Sequence, residues 1–521
     1  MALLILVPLL TVVFGLGQEG PKWDHLCETV LPRYVWNTVI LLVLVPLLVV
    51  LLAIPSAWVV STNDFPGRRI FEWALVLPLA LPTYVAGIVY YELVDALTPF
   101  LVSVKRGWGF DAYLVVEKVV RYGMLATLMA SVLFPYLYLS ARASFSQQRR
   151  AVIEAAQTLG RGPWKVFFTV ALPLARPAMV AGLSLVVMEV INDYGAVYFF
   201  GVPTLTEGIF RTWFGLEDRA SALRLAGWIM VAVCAILALE RWQRGRVRFA
   251  EPSHHAAPLA RRALSGPWAW GAMIICLIPL AIGFLYPVGQ LLIWASLTLE
   301  KVFDSTFWKQ MAHSFWLALF TAMVLVGVSA WMNYALSLSR RRWLDAIIRL
   351  ANIGYAAPGA VVAVGVMVTF GRMDGGLAQL PGGFLLSGTV LAIGCAYLVR
   401  FLAVAHSPIQ SGMTRLCGSL PEASRVLGRG PAQTLWHIQL PLLRGTLLAA
   451  TMLVFVDILK ELPLTMILRP ANFETLATTA FGLAKEGRIQ ECAVPSLLIV
   501  LLGAAGLMVL NRYMEAQGRQ R

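Results

Sequence analysis

The sequence predicts an all-α polytopic membrane protein of about twelve transmembrane helices in two parallel six-helix repeats. Three observations predict it. The 521-residue chain is 59% hydrophobic and only 13% charged, whereas a soluble domain carries about 25% charged residues to cover its water-facing surface. Apolar runs of roughly 20 residues, long enough to cross a bilayer, recur from end to end, and the alternating pattern of a membrane barrel is absent. A polar, glycine-punctuated stretch, "EAAQTLGRGPWKVFFTVALPLARP" from Glu154, returns as "EASRVLGRGPAQTLWHIQLPLLRG" from Glu422.

The elements follow in chain order. The run from Ala2 to Gly17 has the length of a signal peptide but neither a basic start nor a small-x-small cleavage site, so it is expected to form a short first membrane helix with its amino terminus inside. Further spans are expected near 34–60, 71–95, 119–142, 173–200 and 221–240. An Arg-rich linker, 241–266, then separates a first half, 1–240, from a second, 267–521. The second half holds spans near 267–295, 311–338, 346–370, 384–406, 441–467 and 491–511.

The net charge of +14 sits in polar breaks such as Arg68–Arg69, Arg149–Arg150, Arg241 to Arg248 and Arg340 to Arg342. That placement is what the positive-inside rule expects of cytoplasmic segments, and it puts both termini in the cytoplasm. Basic residues are not interleaved with aromatics, which argues against nucleic acid as a partner and leaves the lipid bilayer as the surroundings. The six cysteines lie far apart in or beside apolar segments and read as small core residues. The six histidines have no metal-ligand spacing. Trp23, Tyr34, Trp36, Trp213 and Trp308, near helix ends, read as interfacial anchors.

The two copies of the polar stretch lie 268 positions apart (422 minus 154). The same offset relates Gly160 to Gly428, Pro163 to Pro431, Pro173 to Pro441, Glu189 to Asp457 and Asp193 to Glu461. Upstream, "ALVLPLALPTYVAGIVY" and "LANIGYAAPGAVVAVGVMV" match more loosely. An even number of spans per repeat gives the halves one orientation, with a pathway between them. Each polar stretch is expected to fold as a short cytoplasmic helix. In the second copy Ser419 and Glu422 form a capping box. Gly160 and Gly428 suit the left-handed turn that ends the helix, and Pro173 and Pro441 suit the first turn of the next span. Small residues, Ala155 and Ala156 in one copy and Ala423 in the other, leave a low surface for a partner to approach.

This pattern resembles the "EAA" signature of the membrane subunits of ABC importers. It reads Glu154-Ala155-Ala156, Gly160, Leu172-Pro173 and again Glu422-Ala423, Gly428, Leu440-Pro441, with Ser424 replacing the third residue of the second copy. The resemblance implies the type I ABC-importer permease fold, in which each loop is a coupling helix seated in an ATPase subunit. It also implies an ATPase dimer that carries ATP and Mg, a periplasmic substrate-binding protein, and a place in the bacterial inner membrane. This chain has no Gly-x4-Gly-Lys-Ser/Thr phosphate loop, so it is expected to be a transport subunit with no cofactor of its own, hydrolysis belonging to a separate subunit.

Two fused halves, together with "EVINDYGAVYFFGVPTLTEGIFRTWF" and "VDILKELPLTMILRPANFETLAT", resemble the ferric-iron permeases. Glu189 and Asp193 are four apart, as are Asp457 and Glu461, so each pair is expected on one helix face in the outer part of its span. Carboxylates in a span are costly and suggest a pathway. Four hard oxygen donors suit a transient Fe³⁺ rather than a stable metal site. Ion pairs and hydrogen bonds that hold helices together are the competing role, Lys460 adjoining Glu461 and Asn192 adjoining Asp193. A thiamine, polyamine or phosphonate permease is the alternative within the class. A proton-coupled secondary transporter would leave the two polar loops without a purpose.

Overall fold

The structure, a computed structural model, describes residues 2–147, 156, 158, 162–245, 261–339, 342–377, 385–416, 423–424 and 426–519. They are overwhelmingly helical. Among the described residues, strand structure consists of Asn63–Asp64 paired in parallel with Arg262–Ala263, which ties the linker's end to the end of the Leu31–Thr62 helix.

Among the described residues eight helices are long and apolar enough to cross a membrane: Leu31–Thr62, Thr98–Ser146, Trp164–Asn192, Arg219–Glu240, Pro267–Glu300, Ser305–Ser339, Val390–Thr414 and Pro431–Leu459. The expected spans 71–95 and 346–370 are instead bent pairs, Arg68–Ala80 with Thr83–Ala96 at 88° and Trp343–Ala356 with Gly359–Gly376 at 115°. Counting each as one span brings the total among the described residues to 10, which does not confirm the expected twelve. The two remaining segments form the helices Ala2–Gly15 and Ala493–Arg519, apolar over 5–15 and 493–509. Proline causes both bends. Its ring drives the preceding residue out of the helical region, and Leu81 before Pro82 (φ −90°, ψ 116°) and Ala357 before Pro358 (φ −71°, ψ 130°) are both extended.

A second irregularity also repeats. Pro173 and Pro441 do not begin their spans; continuous helix starts ten residues earlier, at Pro163 and Pro431. A proline inside a helix lacks an N–H and its ring presses on the carbonyl four residues back. Both sites relieve this with a wide π turn, Phe167–Ala171 and Leu435–Gln439. There Leu172 and Leu440 donate to carbonyls five residues earlier, on Phe167 and Leu435. The two π turns stand 268 positions apart, the offset of the sequence repeat.

The chain forms two compact units. One comprises Glu28–Glu207 and Val231–Ile293. Its core is the Leu31–Thr62 helix packed along the Thr98–Gln147 helix, which also packs against Leu172–Asn192 and Thr83–Ala96. The segment between the expected spans 71–95 and 119–142 is helical from Thr98, broken at Gly109 (φ 89°, ψ 175°), with Lys105 above the rings of Phe110 and Tyr113. Trp36 is exposed, as an interfacial anchor should be, but Tyr34 is buried.

The other unit comprises Met1–Cys27, Gly208–Met230 and Trp294–Arg521. The helices Ser305–Ser339, Val390–Leu416 and Leu440–Leu459 pack together, and Leu440–Leu459 also meets Ala493–Arg519. The first half of the Gly359–Leu377 helix is apolar all round, with Ala360 to Val364 fully buried, so this part lies inside the unit, while its last turns, with Arg372 and Met373, are exposed. The first helix, Ala2–Gly15, packs on it, with Val12 fully buried and Thr11 Oγ1 3.0 Å from Thr369 Oγ1. The segment after that first helix is tied to the Arg219 helix through Asp218. Its carboxylate accepts from Lys22 N (3.1 Å), Ser221 N (3.0 Å) and Ser221 Oγ (2.6 Å). Burial alone would raise the Asp218 carboxyl; these donors outweigh it and hold the group below its ordinary range. Trp23 and Trp213 are buried here rather than interfacial, Trp23 stacking on the Arg224 guanidinium at 4.4 Å, while Trp308 is exposed.

Candidate functional site

The sequence singles out two sets of residues, each present in both repeats. The first is the pair of polar loops. In the second loop Ala423, Ser424 and Val426 are helical, Leu427 N donates to the Ala423 carbonyl (3.0 Å), and Gly428 ends the helix in the left-handed region at φ +81°. Gly428 thus makes the turn that the sequence predicts. Ala423 is exposed, and beside it Val426 is 87% and Leu427 82% exposed. Ser424 points the other way. It is buried, with Oγ 3.0 Å from Thr434 Oγ1, which also donates to the Gly430 carbonyl (3.1 Å).

In the first loop Ala156 and Thr158 are helical, whereas Glu154, Ala155 and Gly160, like Ser419 and Glu422 of the second loop, lie outside the described residues. Ala156 faces inward rather than offering a low outer surface. It packs on Val166 with Trp58 and Val170 around them. Ala156 and Val166 occupy the repeat positions of Ser424 and Thr434, so one contact is apolar in the first loop and hydrogen-bonded in the second. The Ser that departs from the Glu-Ala-Ala pattern therefore comes with a matching Thr. Leu172-Pro173 and Leu440-Pro441 stand immediately after the two π turns, where the loop's supporting helix becomes regular.

The second set is the four carboxylates. The expected shared helix faces do not form, because each helix ends between the two acids. Leu172–Asn192 stops before Asp193, which is extended (φ −64°, ψ 128°). Its Oδ1 accepts from the N–H groups of Ala196 (3.0 Å) and Val197 (3.2 Å), capping the short helix Gly195–Phe199, and its Oδ2 accepts from the Thr83 hydroxyl. A side chain that satisfies the next helix's N–H groups competes with continuation of its own. Glu189 stays on the helix, half-buried.

In the other repeat Leu440–Leu459 stops before Glu461, and Pro463 begins the next short helix. Glu461 Oε1 accepts from Leu464 N (3.2 Å) and from Arg400 Nη1 (3.0 Å), and both partners of this ion pair are buried. Asp457 pairs instead with Lys460 (2.8 Å), near the surface of the unit. Asp193 and Glu461 thus do matching structural work, each facing the residue that follows a bend proline: Thr83 after Pro82, Gly359 after Pro358. Thr83 donates its own hydroxyl. At Gly359 a Cβ would lie 2.0 Å from Arg400 Nη1 and 2.5 Å from Glu461 Oε1. Only glycine leaves room for the arginine.

Gly359→Ala is therefore expected to push Arg400 out of its pair and cost about 1–3 kcal/mol, read as a lowered Tm of the purified chain. A melting curve that overlays the wild type would show that Arg400 yields freely. Sequence reasoning missed Arg400, although an arginine within the apolar run 384–406 is the signal that should have found it. Among the described residues no three His, Cys, Asp or Glu side chains come together as a metal-ligand group.

The sequence pattern of the family described as "Binding-protein-dependent transport system inner membrane component" matches residues 34–239 and again 326–520. The chain is 24% identical over 492 residues to the Fe(3+)-transport system permease protein FbpB 2 of Haemophilus influenzae, covering 92% of this chain and 89% of that one. It is 21% identical over 541 residues to a probable ABC transporter permease protein, y4fN, of Sinorhizobium fredii, covering 97% and 92%. The molybdenum transport system permease protein ModB of Haemophilus influenzae is 32% identical over 210 residues, 38% of this chain but 86% of ModB. A single-half relative and a twice-matching pattern agree with a duplicated, fused architecture. This chain belongs to the binding-protein-dependent transport system inner-membrane components, as an ABC permease with both halves in one polypeptide.

Proposed function

We propose that this chain is the membrane subunit of an ATP-driven importer of ferric iron, set in a bacterial inner membrane with both termini in the cytoplasm. A periplasmic binding protein delivers the ion, and a separate pair of ATPase subunits, holding ATP and Mg, docks on the two polar loops. The observation that carries the iron reading is the similarity to the ferric-iron permease, which runs through both halves and nearly the whole of each chain. The fused halves of 1–240 and 267–521, joined by the Arg-rich linker, fit the same reading.

The four carboxylates divide the work. Asp193 and Glu461 hold the breaks after their helices. Glu189 and Asp457, the less buried member of each pair, make the transient contacts with Fe³⁺, whose small size and high charge favour hard carboxylate oxygens. Asp457 is held by Lys460, so an arriving cation displaces an ammonium and leaves the carboxylate re-paired as it departs.

The test is uptake of labelled Fe³⁺ by iron-starved cells whose other iron routes are removed. Deleting the chain should abolish uptake and the wild-type chain should restore it. A bond to a charged group is worth about 1.5–3 kcal/mol, so Glu189→Gln with Asp457→Asn should lower uptake at least about tenfold while the chain remains in the membrane. Undiminished iron uptake on deletion would pass the substrate to thiamine, polyamine or phosphonate. Full uptake by the double amide variant would remove the carboxylates from the pathway.

A further inference from the structure

Each polar stretch is held from behind by one aromatic residue of the second helix expected to span the membrane in its half. Trp58, on Leu31–Thr62, and Tyr334, on Ser305–Ser339, lie 276 positions apart (334 minus 58). That is also the spacing of the bend prolines Pro82 and Pro358, so the two aromatics occupy one place in the repeat.

Their chemistry differs. Trp58 joins the Ala156–Val166 cluster, meets Phe167 of the π turn at 5.0 Å between ring centroids, and meets Phe145 edge-on at 5.2 Å. Phe145 belongs to the Thr98–Gln147 helix, so Trp58 wedges between that helix and the first loop. Tyr334 is buried and donates its hydroxyl to the carbonyl of Pro431 at 2.5 Å, the first residue of the helix that supports the second loop. Its neighbour Asn333 reaches the other way, with Nδ2 3.0 Å from His406 Nδ1 on the Val390–Leu416 helix. In both halves this helix therefore touches the start of the helix that supports the loop on one side and the helix that leads into the loop on the other. The first half does so through rings and the second through hydrogen bonds.

We propose that Tyr334 is a positioning residue that transmits movement between the second polar loop and its membrane helices, and that Trp58 does the same for the first loop by apolar packing. The inference rests on the reading that these loops dock the ATPase. Coupling between elements is carried by packed side chains and hydrogen bonds that join them, and such a contact is tested by breaking it without unfolding the elements. Tyr334→Phe meets that condition, since it removes one oxygen and keeps the ring.

The experiment uses the full chain, co-purified with its ATPase and reconstituted in liposomes, with labelled Fe³⁺ and the binding protein supplied. Ferric ion transported per ATP hydrolysed is measured beside the Tm. Tyr334→Phe is expected to assemble and melt as wild type while transport per ATP falls about fivefold, the effect of one lost hydrogen bond. Trp58→Leu, which keeps an apolar filler but loses the wedge, is expected to lower the same ratio. Unaltered ratios in both variants, with the wild type coupling normally, overturn the positioning role alone. A wild-type chain that brings no ATPase with it overturns the docking reading and the positioning role together, so the two failures are distinguishable.

Discussion

Val426→Asp with Leu427→Asp is expected to abolish ATP-driven uptake while leaving the chain folded and inserted. Both side chains are more than four-fifths exposed, so the substitution removes little packing among the described residues. Exposed positions of this kind usually shift stability by no more than about 0.5 kcal/mol. Docking would bury both residues, and a Val or Leu passing from water to an apolar pocket contributes about 1.5–3 kcal/mol. Losing two such anchors and placing carboxylates there weakens association by at least about a hundredfold. The measurement is recovery of the ATPase with the affinity-purified chain, beside uptake. An ATPase that still co-purifies in full would move the docking surface away from Val426 and Leu427.

Glu461→Gln is expected to destabilise the chain severely. The change leaves the Arg400 charge buried beside a neutral amide. Breaking one side of a buried ion pair costs about 3–5 kcal/mol, enough to take a large part of the stability of a marginally stable chain. Loss of uptake by this variant alone would therefore say little about the ion's route. Arg400→Met with Glu461→Gln removes both charges and keeps an acceptor for Leu464 N–H. Replacing both members of a buried pair is often neutral or stabilising, so the double variant should melt close to the wild type. Uptake by that stable variant then decides whether the Glu461 charge serves the pathway. A Glu461→Gln protein that melts as the wild type would show that the pair contributes nothing to the fold.

Composition and apolar run length made the membrane class legible, and the 268-residue repeat made the duplication legible. Both rest on patterns that a one-dimensional string carries intact. Gly428 was legible for the same reason, because a left-handed turn leaves its mark on a single residue. The π turns were not, since Pro173 and Pro441 fit the start of a helix as well as a relieved interior, and only the backbone chooses between them. The bends at Pro82 and Pro358 were signalled by proline but concealed by apolar sequence on either side. The division of labour among the four acids was least visible. It depends on Thr83 and Arg400, which lie 110 and 61 positions from their partners Asp193 and Glu461.

The π turns fix the heading of the two polar loops. Each residue of a regular helix advances about 100° around the axis, and each wide turn alters that count within the ten residues between Pro163 and Pro173 or Pro431 and Pro441. A single insertion or deletion there would leave every span intact yet swing its loop about a quarter of a circle away from whatever it meets. The two prolines at the membrane side cannot donate to a migrating turn, so the wide turn cannot drift past them into the span. Spacing between the prolines is thus a compass bearing, kept equal in the two halves although the residues between them have diverged.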